Sequence, residues 1–324
     1  MNESISNNHN NTKNNDAPHL PPLSGRPIIF GEVLYDSFPD GQSVLGGAPF
    51  NVAWHLQGLG CFPLLLSSVG SDVGGENVNN TMLGWEMDVS GLQCCQNYPT
   101  GKVSVQLDNG QPSYHIVADQ AYDHIDAQKA LLAVGGMSTK NQQPSIIYHG
   151  SLALREPGAR KTLDLLLKNT NAPVFLDLNL REPWWESSFV ESMLKRATWV
   201  KLNDEELCKV TGDKMTDGPG LQLLAKELFA ACRLERLIVT RGEQGAFVLT
   251  ENGIVEGSPA PVDHLVDTVG AGDAFCAVTM AGLLQGWPVQ ATLDRALAFA
   301  SAICQQRGAT QNNPELYQMF GDTK

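Results

Sequence analysis

The sequence has no segment that would hold it in a membrane. No apolar run approaches the roughly 20 residues of a membrane-spanning helix. Residues 1–24 are rich in Asn, Ser, His and Pro, and they contain no apolar stretch of the kind that a signal peptide needs. We therefore expect residues 1–24 to form a disordered tail and residues 25–324 to form a soluble domain in the cytoplasm.

Cysteine pairs with a recognisable spacing are also missing. The 7 cysteines are odd in number, and they include no CxxC pair and no neighbouring His at the spacing of a metal site. Such a set suits a reducing compartment. Adjacent Cys94 and Cys95 could form a redox pair, but two ordinary thiols would have the same spacing, so we assign them no role. The other cysteines are Cys61, Cys208, Cys232, Cys276 and Cys304.

Positive charge is scarce. The chain has 22 Lys and Arg against 35 Asp and Glu, which gives a formal net charge of −13. An acidic surface repels nucleic acid and anionic membranes, so we expect neither as a partner. A small anionic ligand stays open, because a few backbone amides and one Arg can make a local positive site inside an acidic protein.

Two common nucleotide-binding loops are absent. No GxxxxGK[ST] segment occurs, which excludes a P-loop. The GAG segment that the chain does contain has Phe275 where a dinucleotide fingerprint would have its third glycine. This departure argues against a Rossmann dehydrogenase.

The second half of the chain alternates between strand and helix patterns. Short continuous apolar runs, typical of strands buried on both faces, are separated by helical patterns near 157–169 and 187–195. The predicted strands are SIIYHG, PVFLDL, ATWVKL, ERLIVT and AFVLT. This pattern predicts an α/β fold, with helices on both faces of a parallel sheet.

A different pattern interrupts the first half. The alternating segment VSVQLDNGQPSYHIV surrounds Asn109-Gly110 and predicts a β-hairpin. With IIFGEVLYDSF as a candidate partner strand, it predicts a small β lid from about 34–45 and 97–120. The lid side chains suited to stacking on a ligand or hydrogen bonding to it are Tyr98, Gln106, Tyr114 and Tyr122.

Polar residues recur directly after the predicted strands. Loops are polar in general, but open α/β sheets bind ligands outside the carboxyl ends of their strands. The recurrence therefore predicts a site at one edge of the sheet. The residues concerned are Asp36, Asp72, Ser151, Asp177, Asn179, Arg181, Asn203 and 240–242.

The segment DTVGAGDAF, Asp267–Phe275, leads directly into a helical pattern. Gly270, Ala271 and Gly272 are small enough for a ligand to reach the backbone, and the free N–H groups at a helix start favour an anion such as phosphate. Asp273 adds a carboxylate that could accept the proton of an attacking hydroxyl. Its alternative role is a favourable interaction with the helix dipole, worth about 0.3–1 kcal/mol.

This segment closely resembles the second signature of the pfkB, or ribokinase-like, carbohydrate kinase family. The resemblance implies that Asp273 is the catalytic base and that the amides around Ala271 form an anion hole. The segment GGAPFNVA resembles the family's first signature. There Gly46 and Gly47 permit close approach of a polyol, and Asn51 offers both a donor and an acceptor. A turn that caps the following helix is the alternative.

The resemblance extends over the chain after the tail. It implies that Asp36 binds sugar hydroxyls, and that Asn203 and Glu206 form the family's N-x-x-E element, which serves phosphate and Mg²⁺. An ordinary helix start capped by Asn203 is the alternative. The residues implied to line the phosphates of ATP are Thr240, Gly242 and Gly245.

The segments DLNLREPWW and GSLALR resemble those of fructokinases, the first also those of 2-keto-3-deoxygluconate kinases. The resemblance thus implies an ATP-dependent fructokinase that uses Mg²⁺ and, as a further candidate, a monovalent cation such as K⁺. Arg181 could bridge sugar and phosphate, or neutralise a substrate carboxylate, or be solvated. Lys102 is the only Lys or Arg from Tyr98 to Gln120, which favours a neutral sugar over a sugar acid or fructose 6-phosphate.

Several alternatives stay open at this stage. One is a 2-keto-3-deoxygluconate kinase or another sugar kinase of the family. Another is a sugar-binding regulator without activity, although an intact GAGD sequence at 270–273 argues against it. Trp184 and Trp185 could shape the sugar pocket or belong to the core. Members of the family often pair through their lids, which implies a homodimer as a candidate assembly.

Overall fold

The computed structural model of the protein describes residues 21–108, 111–138, 142–213, 218–259, 262 and 264–321. The side chains of 105–108, 111–114 and 138 are not described. The predicted tail therefore lies outside the described residues as far as residue 20. Near its end, however, the Leu23 amide donates a hydrogen bond of 3.1 Å to the Leu284 carbonyl.

A nine-stranded sheet forms the centre of the domain. In chain order the strands of the whole structure are β1 (Arg26–Phe30), β2 (Leu34–Ser37), β3 (Ser43–Gly46), β4 (Leu64–Gly70), β5 (Leu92–Cys95), β6 (Gly101–Asp108), β7 (Gln111–Ile116), β8 (Pro144–His149), β9 (Val174–Asp177), β10 (Trp199–Asn203), β11 (Arg236–Thr240), β12 (Ala246–Thr250) and β13 (Gly253–Gly257). The order in the large sheet is β13-β12-β11-β10-β9-β8-β1-β4-β5.

All pairings in this sheet are parallel except β11 with β12 and β12 with β13. The chain starts at β1 in the interior, adds β4 and β5 on one side, and then crosses back to place β8 on the other side of β1. The order of strands therefore reverses at β1. In open α/β sheets such a switch point opens a crevice at the carboxyl ends of the strands, where ligands bind.

Helices cover both faces of the large sheet. They are α1 (Ala48–Gly58), α2 (Val73–Gly84), α3 (Ala127–Ser138), α4 (Pro157–Asn169), α5 (Ser187–Leu194), α6 (Asp204–Thr211), α7 (Gly218–Cys232), α8 (Ala271–Gln285), α9 (Val289–Cys304) and α10 (Pro314–Gln318). Two separate apolar clusters fill the spaces between sheet and helices. Because both faces are covered, the central strands β1 and β4 are buried along their whole length and mostly apolar, as predicted for the α/β fold.

A second, four-stranded sheet has the order β3-β2-β6-β7. Its β6 and β7 form the predicted antiparallel hairpin, whose Asn109-Gly110 turn lies outside the described residues. The segment IIFGEVLYDSF is not one strand, because the chain leaves the large sheet at Gly31, but its second half forms β2, which pairs with β6 of the hairpin as predicted. A Cβ at Gly31 would lie only 2.3 Å from Pro49 Cγ. Asp36 therefore lies inside β2 of the small sheet, and Glu32 is the acidic residue that follows the first strand of the large sheet.

No helix in the part of the chain that the structure describes is both long and apolar enough to cross a bilayer.

Two glycines in helices differ in the space around them, and we predict opposite effects of the same substitution. A Cβ at Gly58 would lie 2.6 Å from the buried ring of Tyr317, whereas no described atom is within 4 Å of a Cβ at Gly135. Gly58→Ala should lower the free energy of unfolding by about 1–3 kcal/mol through overpacking. Gly135→Ala, inside α3, should raise it by up to about 1 kcal/mol.

Urea unfolding of both variants measures this difference. Two shifts of the same sign would contradict the packing assigned to Tyr317.

Candidate active site

The start of α8 forms a turn that only glycine fits. Gly270 adopts φ +81°, and a Cβ there would lie 2.4 Å from Ala309 Cβ. The Asp267 carboxylate holds the turn, since it accepts hydrogen bonds from the amides of Val269 at 3.0 Å and of Gly308 at 3.2 Å. The Ala271 amide donates to the Thr268 carbonyl at 3.3 Å. The next N–H groups of the first helical turn have no intrahelical carbonyl partner, so this turn can bind an anion.

Asp273 lies in the first turn of α8, beside that anion-binding backbone. Its Oδ2 accepts a hydrogen bond of 2.7 Å from Nδ2 of Asn51 in α1. The Asp273 residue is half-buried, so its carboxyl group is partly open to solvent. Burial raises its pKa to about 6, although the hydrogen bond from Asn51 opposes the rise. A carboxylate with this pKa is mostly ionised at pH 7 and can accept a proton.

Three more of the predicted substrate residues meet at this place. A Cβ at Gly46 would lie 3.7 Å from Asp36 Oδ2 and 3.9 Å from Asn51 Oδ1, so these two oxygens flank the glycine. Gly47 has φ +105°, and its Cβ position is only 2.7 Å from the Glu32 carbonyl oxygen. Asn51 Oδ1 is buried and has no hydrogen-bond partner among the described residues. The structure thus brings the two glycines, Asn51 and Asp36 next to Asp273.

Arg181 lies in the segment after β9, within range of the charges of the same group of carboxylates. Its positive charge opposes the burial that raises the pKa of Glu32, Asp36 and Asp273, so the guanidinium group is near all three carboxyl groups. Arg181 is itself exposed, so its interpretation as a solvated surface residue stays open beside that of a substrate contact. Trp184, close by, lies half-buried with its ring 4.4 Å from the Arg155 guanidinium carbon.

Asn203 and Glu206 form a reciprocal cap at the start of α6. Asn203 Oδ1 accepts from the Glu206 amide at 2.8 Å, and Glu206 Oε2 accepts from the Asn203 amide at 2.9 Å. Glu206 Oε1 also accepts from the Leu180 amide at 2.7 Å, which ties the end of β9 to α6. The alternative of an ordinary helix start is thus realised in the geometry, and a role toward phosphate or metal would come in addition to it.

The described residues contain no group of three His, Cys, Asp or Glu that could enclose a metal ion.

The predicted nucleotide residues lie at the carboxyl end of β11 and just beyond it. Thr240 is the register partner of Asn203 on β10, which puts the two polar side chains at one edge. Gly242 has φ +56° with open space around it. Gly245 has φ +84°, and a Cβ there would lie 2.0 Å from the Gly257 carbonyl oxygen, so this position requires glycine. The group is separated from Asp273 by β10 and has no direct contact with it among the described hydrogen bonds.

Comparison with known proteins agrees with this geometry, in which Asp273 and Asn51 lie beside the anion-binding turn at Gly270. A model described as pfkB family carbohydrate kinase matches residues 32–316. The chain belongs to the pfkB family.

Similar proteins include kinases for different sugars. A fructokinase of Klebsiella pneumoniae is 29% identical over 305 residues, covering 89% of this chain and 93% of that protein. An ATP-dependent 6-phosphofructokinase of Thermoanaerobacterium thermosaccharolyticum is 24% identical over 285 residues, covering 85% of this chain and 83% of that protein.

The fold is likewise that of solved kinase structures. Vibrio cholerae fructokinase, in a form with fructose, ADP and calcium ion bound, has a TM-score of 0.73 at 26% identity and covers 92% of this chain and 99% of its own. A double mutant of the same fructokinase with fructose, ADP and potassium ion bound has a TM-score of 0.74 at 25% identity. The match covers 93% of this chain and 100% of the mutant's chain. The protein is thus an ATP-dependent carbohydrate kinase.

The pfkB kinase site contains one cation that sequence reasoning missed. Lys201 Nζ lies 3.0 Å from Asp177 Oδ1, in a buried ion pair, and 3.3 Å from the Cβ position of Gly272. Burial opposes the charged form, but Asp177 outweighs it and holds the lysine pKa above its usual range. The sequence did offer a signal for Lys201, because it is the only charged residue in the apolar strand WVKLN. A buried charge needs a partner of opposite charge, so a nearby carboxylate could have been expected.

We predict that the ionised Asp273 carboxylate lowers the free energy of unfolding of the kinase at neutral pH. Because its folded pKa of about 6 exceeds the ordinary value of 3.8, the ionised carboxylate favours the unfolded state. Asp273→Asn should raise the free energy of unfolding at pH 8 by up to about 3 kcal/mol, and the gain should shrink as the pH falls to 5. Urea titrations at several pH values measure it.

Asp88→Asn is the matched control with the opposite sign. Burial opposes ionisation of Asp88, but hydrogen bonds from Ser90 and Arg26 outweigh it and lower its pKa to about 2. Its loss should therefore reduce stability at pH 8. A loss of stability in Asp273→Asn at pH 8 would contradict the burial assigned to that carboxylate.

Proposed function

We propose that the protein is a fructokinase, which transfers the γ-phosphoryl group of ATP to a hydroxyl group of D-fructose. The observation that carries the proposal is the 2.7 Å hydrogen bond between Asn51 and Asp273. It joins a base, a side chain suited to polyols and an anion-binding turn at one point. These are the parts that phosphoryl transfer to an alcohol requires.

The proposed reaction follows from this geometry. Asp273 accepts the proton of the sugar hydroxyl while the hydroxyl oxygen forms a bond to the γ-phosphorus, and the bond from that phosphorus to the bridging oxygen of ADP breaks. Asn51 fixes the orientation of the carboxylate. The amides at Gly270, Ala271 and Gly272 face the negative charge of the transferring group and stabilise it. Asp273 then releases its proton to solvent.

Charge balance in the cleft supports a neutral sugar. The guanidinium group of Arg181 is near three carboxyl groups, those of Glu32, Asp36 and Asp273. Because these three carboxyl groups outnumber Arg181, a sugar acid or a sugar phosphate would add a further negative charge beside them. This disfavours 2-keto-3-deoxygluconate and fructose 6-phosphate. The fructokinase relatives of Klebsiella and Vibrio support fructose among the neutral sugars.

The ions are part of the proposal. Mg²⁺ bound to ATP would neutralise phosphate charge, and Glu206, with lone pairs left after its two backbone contacts, would hold that ion through water. Asn203, Thr240, Gly242 and Gly245 would line the phosphates. The potassium ion in the Vibrio fructokinase structure supports a monovalent cation as well. Oxygen ligands suited to one are present at the Gly270 turn, in the Asp267 carboxylate.

The small sheet would act as a lid. It carries Asp36 on β2, so closure over the sugar would bring this carboxylate to a hydroxyl and exclude water that would otherwise take the phosphoryl group. A homodimer formed through this sheet stays a prediction, which sedimentation velocity tests. Location in the cytoplasm stays a prediction as well.

Asp273→Asn tests the base. We expect kcat to fall by about 10²- to 10⁴-fold, the usual contribution of a general base, with Mg-ATP affinity retained. Sugar-dependent ADP release measures kcat, and calorimetry measures ATP binding. Asp88→Asn, the same change at a carboxylate bonded to Arg26, should keep full activity. A near-normal kcat in Asp273→Asn would contradict the proposed role of Asp273 as the general base.

A substrate panel tests the sugar. Purified protein with Mg-ATP is offered fructose, ribose, tagatose, glucose, adenosine, 2-keto-3-deoxygluconate and fructose 6-phosphate, with ADP followed by a coupled assay. We expect turnover with fructose alone. If another member is preferred, the fructose proposal fails and the kinase remains. If the sugar acid or the sugar phosphate wins, the charge argument around Arg181 is wrong.

A further inference from the structure

Three buried polar atoms meet at the switch point of the large sheet without partners. They come from three elements: Glu32 follows β1, Arg155 follows β8 and its short helical turn, and Tyr122 lies in the turn Ala121–His124. Glu32 is 3%, Arg155 7% and Tyr122 0% exposed. Glu32 Oε2, Arg155 Nη1 and the Tyr122 hydroxyl have no hydrogen-bond partner in the regions that the structure describes.

Arg155 is fixed on every other side. Its Nε and Nη2 donate to the two oxygens of Asp123 at 2.7 and 2.6 Å, and Nη2 also donates to the Val117 carbonyl at 2.7 Å. Its guanidinium carbon lies 4.4 Å from the Trp184 ring and 5.2 Å from the Tyr122 ring. The side chain therefore cannot turn to satisfy Nη1, which stays aimed in one direction.

Glu32 follows β1, the strand next to β8 that precedes Arg155, and its carbonyl oxygen lies 2.7 Å from the Cβ position of Gly47. Its pKa responds to the charges of Arg181, Asp273 and Arg155, so its carboxyl group is near all three. The ion pairs of the described residues nevertheless do not join Glu32 to either arginine. A purely structural carboxylate in this position would close such a pair, because a buried unpaired polar group costs about 1–3 kcal/mol. A polar ligand at this part of the fold would satisfy such atoms.

We propose that Glu32, Arg155 and Tyr122 form the inner wall of the sugar pocket, where Glu32 determines specificity. This inference rests on the proposed kinase function and deepens it. Glu32 Oε2 accepts a hydrogen bond from one substrate hydroxyl, while Arg155 Nη1 and the Tyr122 hydroxyl serve a second substrate oxygen. The ligand is a neutral polyol, since a carboxylate or phosphate at this wall would meet the Glu32 carboxylate.

Glu32→Gln and Tyr122→Phe are suitable variants because each removes one function and keeps the shape. Burial raises the pKa of Glu32 to about 7, so a neutral amide in its place should not lower stability. Tyr122→Phe removes only a hydroxyl that has no partner among the described atoms. Melting temperatures of both variants check that the fold is kept.

For Glu32→Gln we expect a 10- to 100-fold rise in KM for fructose, because hydrogen bonds to a charged group contribute about 1.5–3 kcal/mol. The kcat should stay within a few-fold, and KM for ATP should not change. Tyr122→Phe should raise KM for fructose several-fold. Asp88→Asn, outside this wall, should leave all three constants unchanged.

Deoxyfructose analogues separate a contact from a structural effect. With the analogue that lacks the hydroxyl bound by Glu32, the wild type should lose affinity and Glu32→Gln should show no further loss. An unchanged KM for fructose in Glu32→Gln would overturn the proposal. A change in kcat, in both KM values and in the melting temperature of Glu32→Gln would also overturn the proposal, because such a combined change indicates a structural role for Glu32.

The two proposals can fail separately. If none of the sugars tested makes the wild-type protein release ADP, the fructokinase proposal fails. Calorimetric titration of fructose into the wild type and into Glu32→Gln still tests whether Glu32 belongs to the wall of the sugar pocket. Weaker fructose binding in the variant supports it, and equal binding or none in both proteins overturns it.

Discussion

The hydrogen bond between Asn51 and Asp273 is the contact on which the site depends. It joins α1 to α8, two helices that come from opposite ends of the chain and pack side by side on one face of the sheet. Asn51 follows the glycines at the sugar end, and Asp273 follows the glycines at the phosphate end. In the proposed reaction, this one polar contact would set the distance between the groups that hold the acceptor and the groups that hold the donor. Proximity of this kind accounts for much of enzymatic rate enhancement.

Around this contact the protein combines charge with burial. Asp177 accepts from Lys201 on one oxygen, and Tyr148 and Cys276 lie 3.3 Å from its other oxygen. This buried network lies next to the anion-binding turn at Gly272. It supplies a fixed positive charge beside the turn without an open basic patch. An acidic protein can in this way bind a highly charged nucleotide, because the field within a few ångströms outweighs the net charge of the surface.

The sequence pattern predicted the sheet well because buried parallel strands are apolar runs with little ambiguity. The helices near 157–169 and 187–195 are confirmed as Pro157–Asn169 and Ser187–Leu194. The break at Gly31 was missed, since a run such as IIFGEVLYDSF does not reveal that its two halves enter different sheets. Only the close approach of Pro49, distant in the pattern, forces the separation.

For the candidate site, family signatures pointed to Asp273, Asn51 and the glycines, and the structure brings Asn51 and Asp273 together. Their roles in the reaction stay predictions. Glu32 and Lys201 could not be found in this way. Their significance comes from neighbours far along the chain, Arg155 in one case and Asp177 in the other. Capping by Asn203 and Glu206 also shows that a motif can have a structural use that its spacing does not distinguish from a functional one.

The segment after α9 has the composition of a tolerant surface loop, yet it supports the phosphate turn from behind. Ala309 touches Gly270, and its carbonyl lies 2.9 Å from His55 Nε2, while Gln311 accepts from Trp54 and from Tyr317 of α10. Burial lowers the pKa of His55 to about 4, so this support is uncharged at neutral pH. Insertions between 305 and 313, or fusions that pull on α10, would therefore displace the catalytic backbone, although they lie outside every signature segment. In engineering terms, the C-terminal region is a poor attachment point.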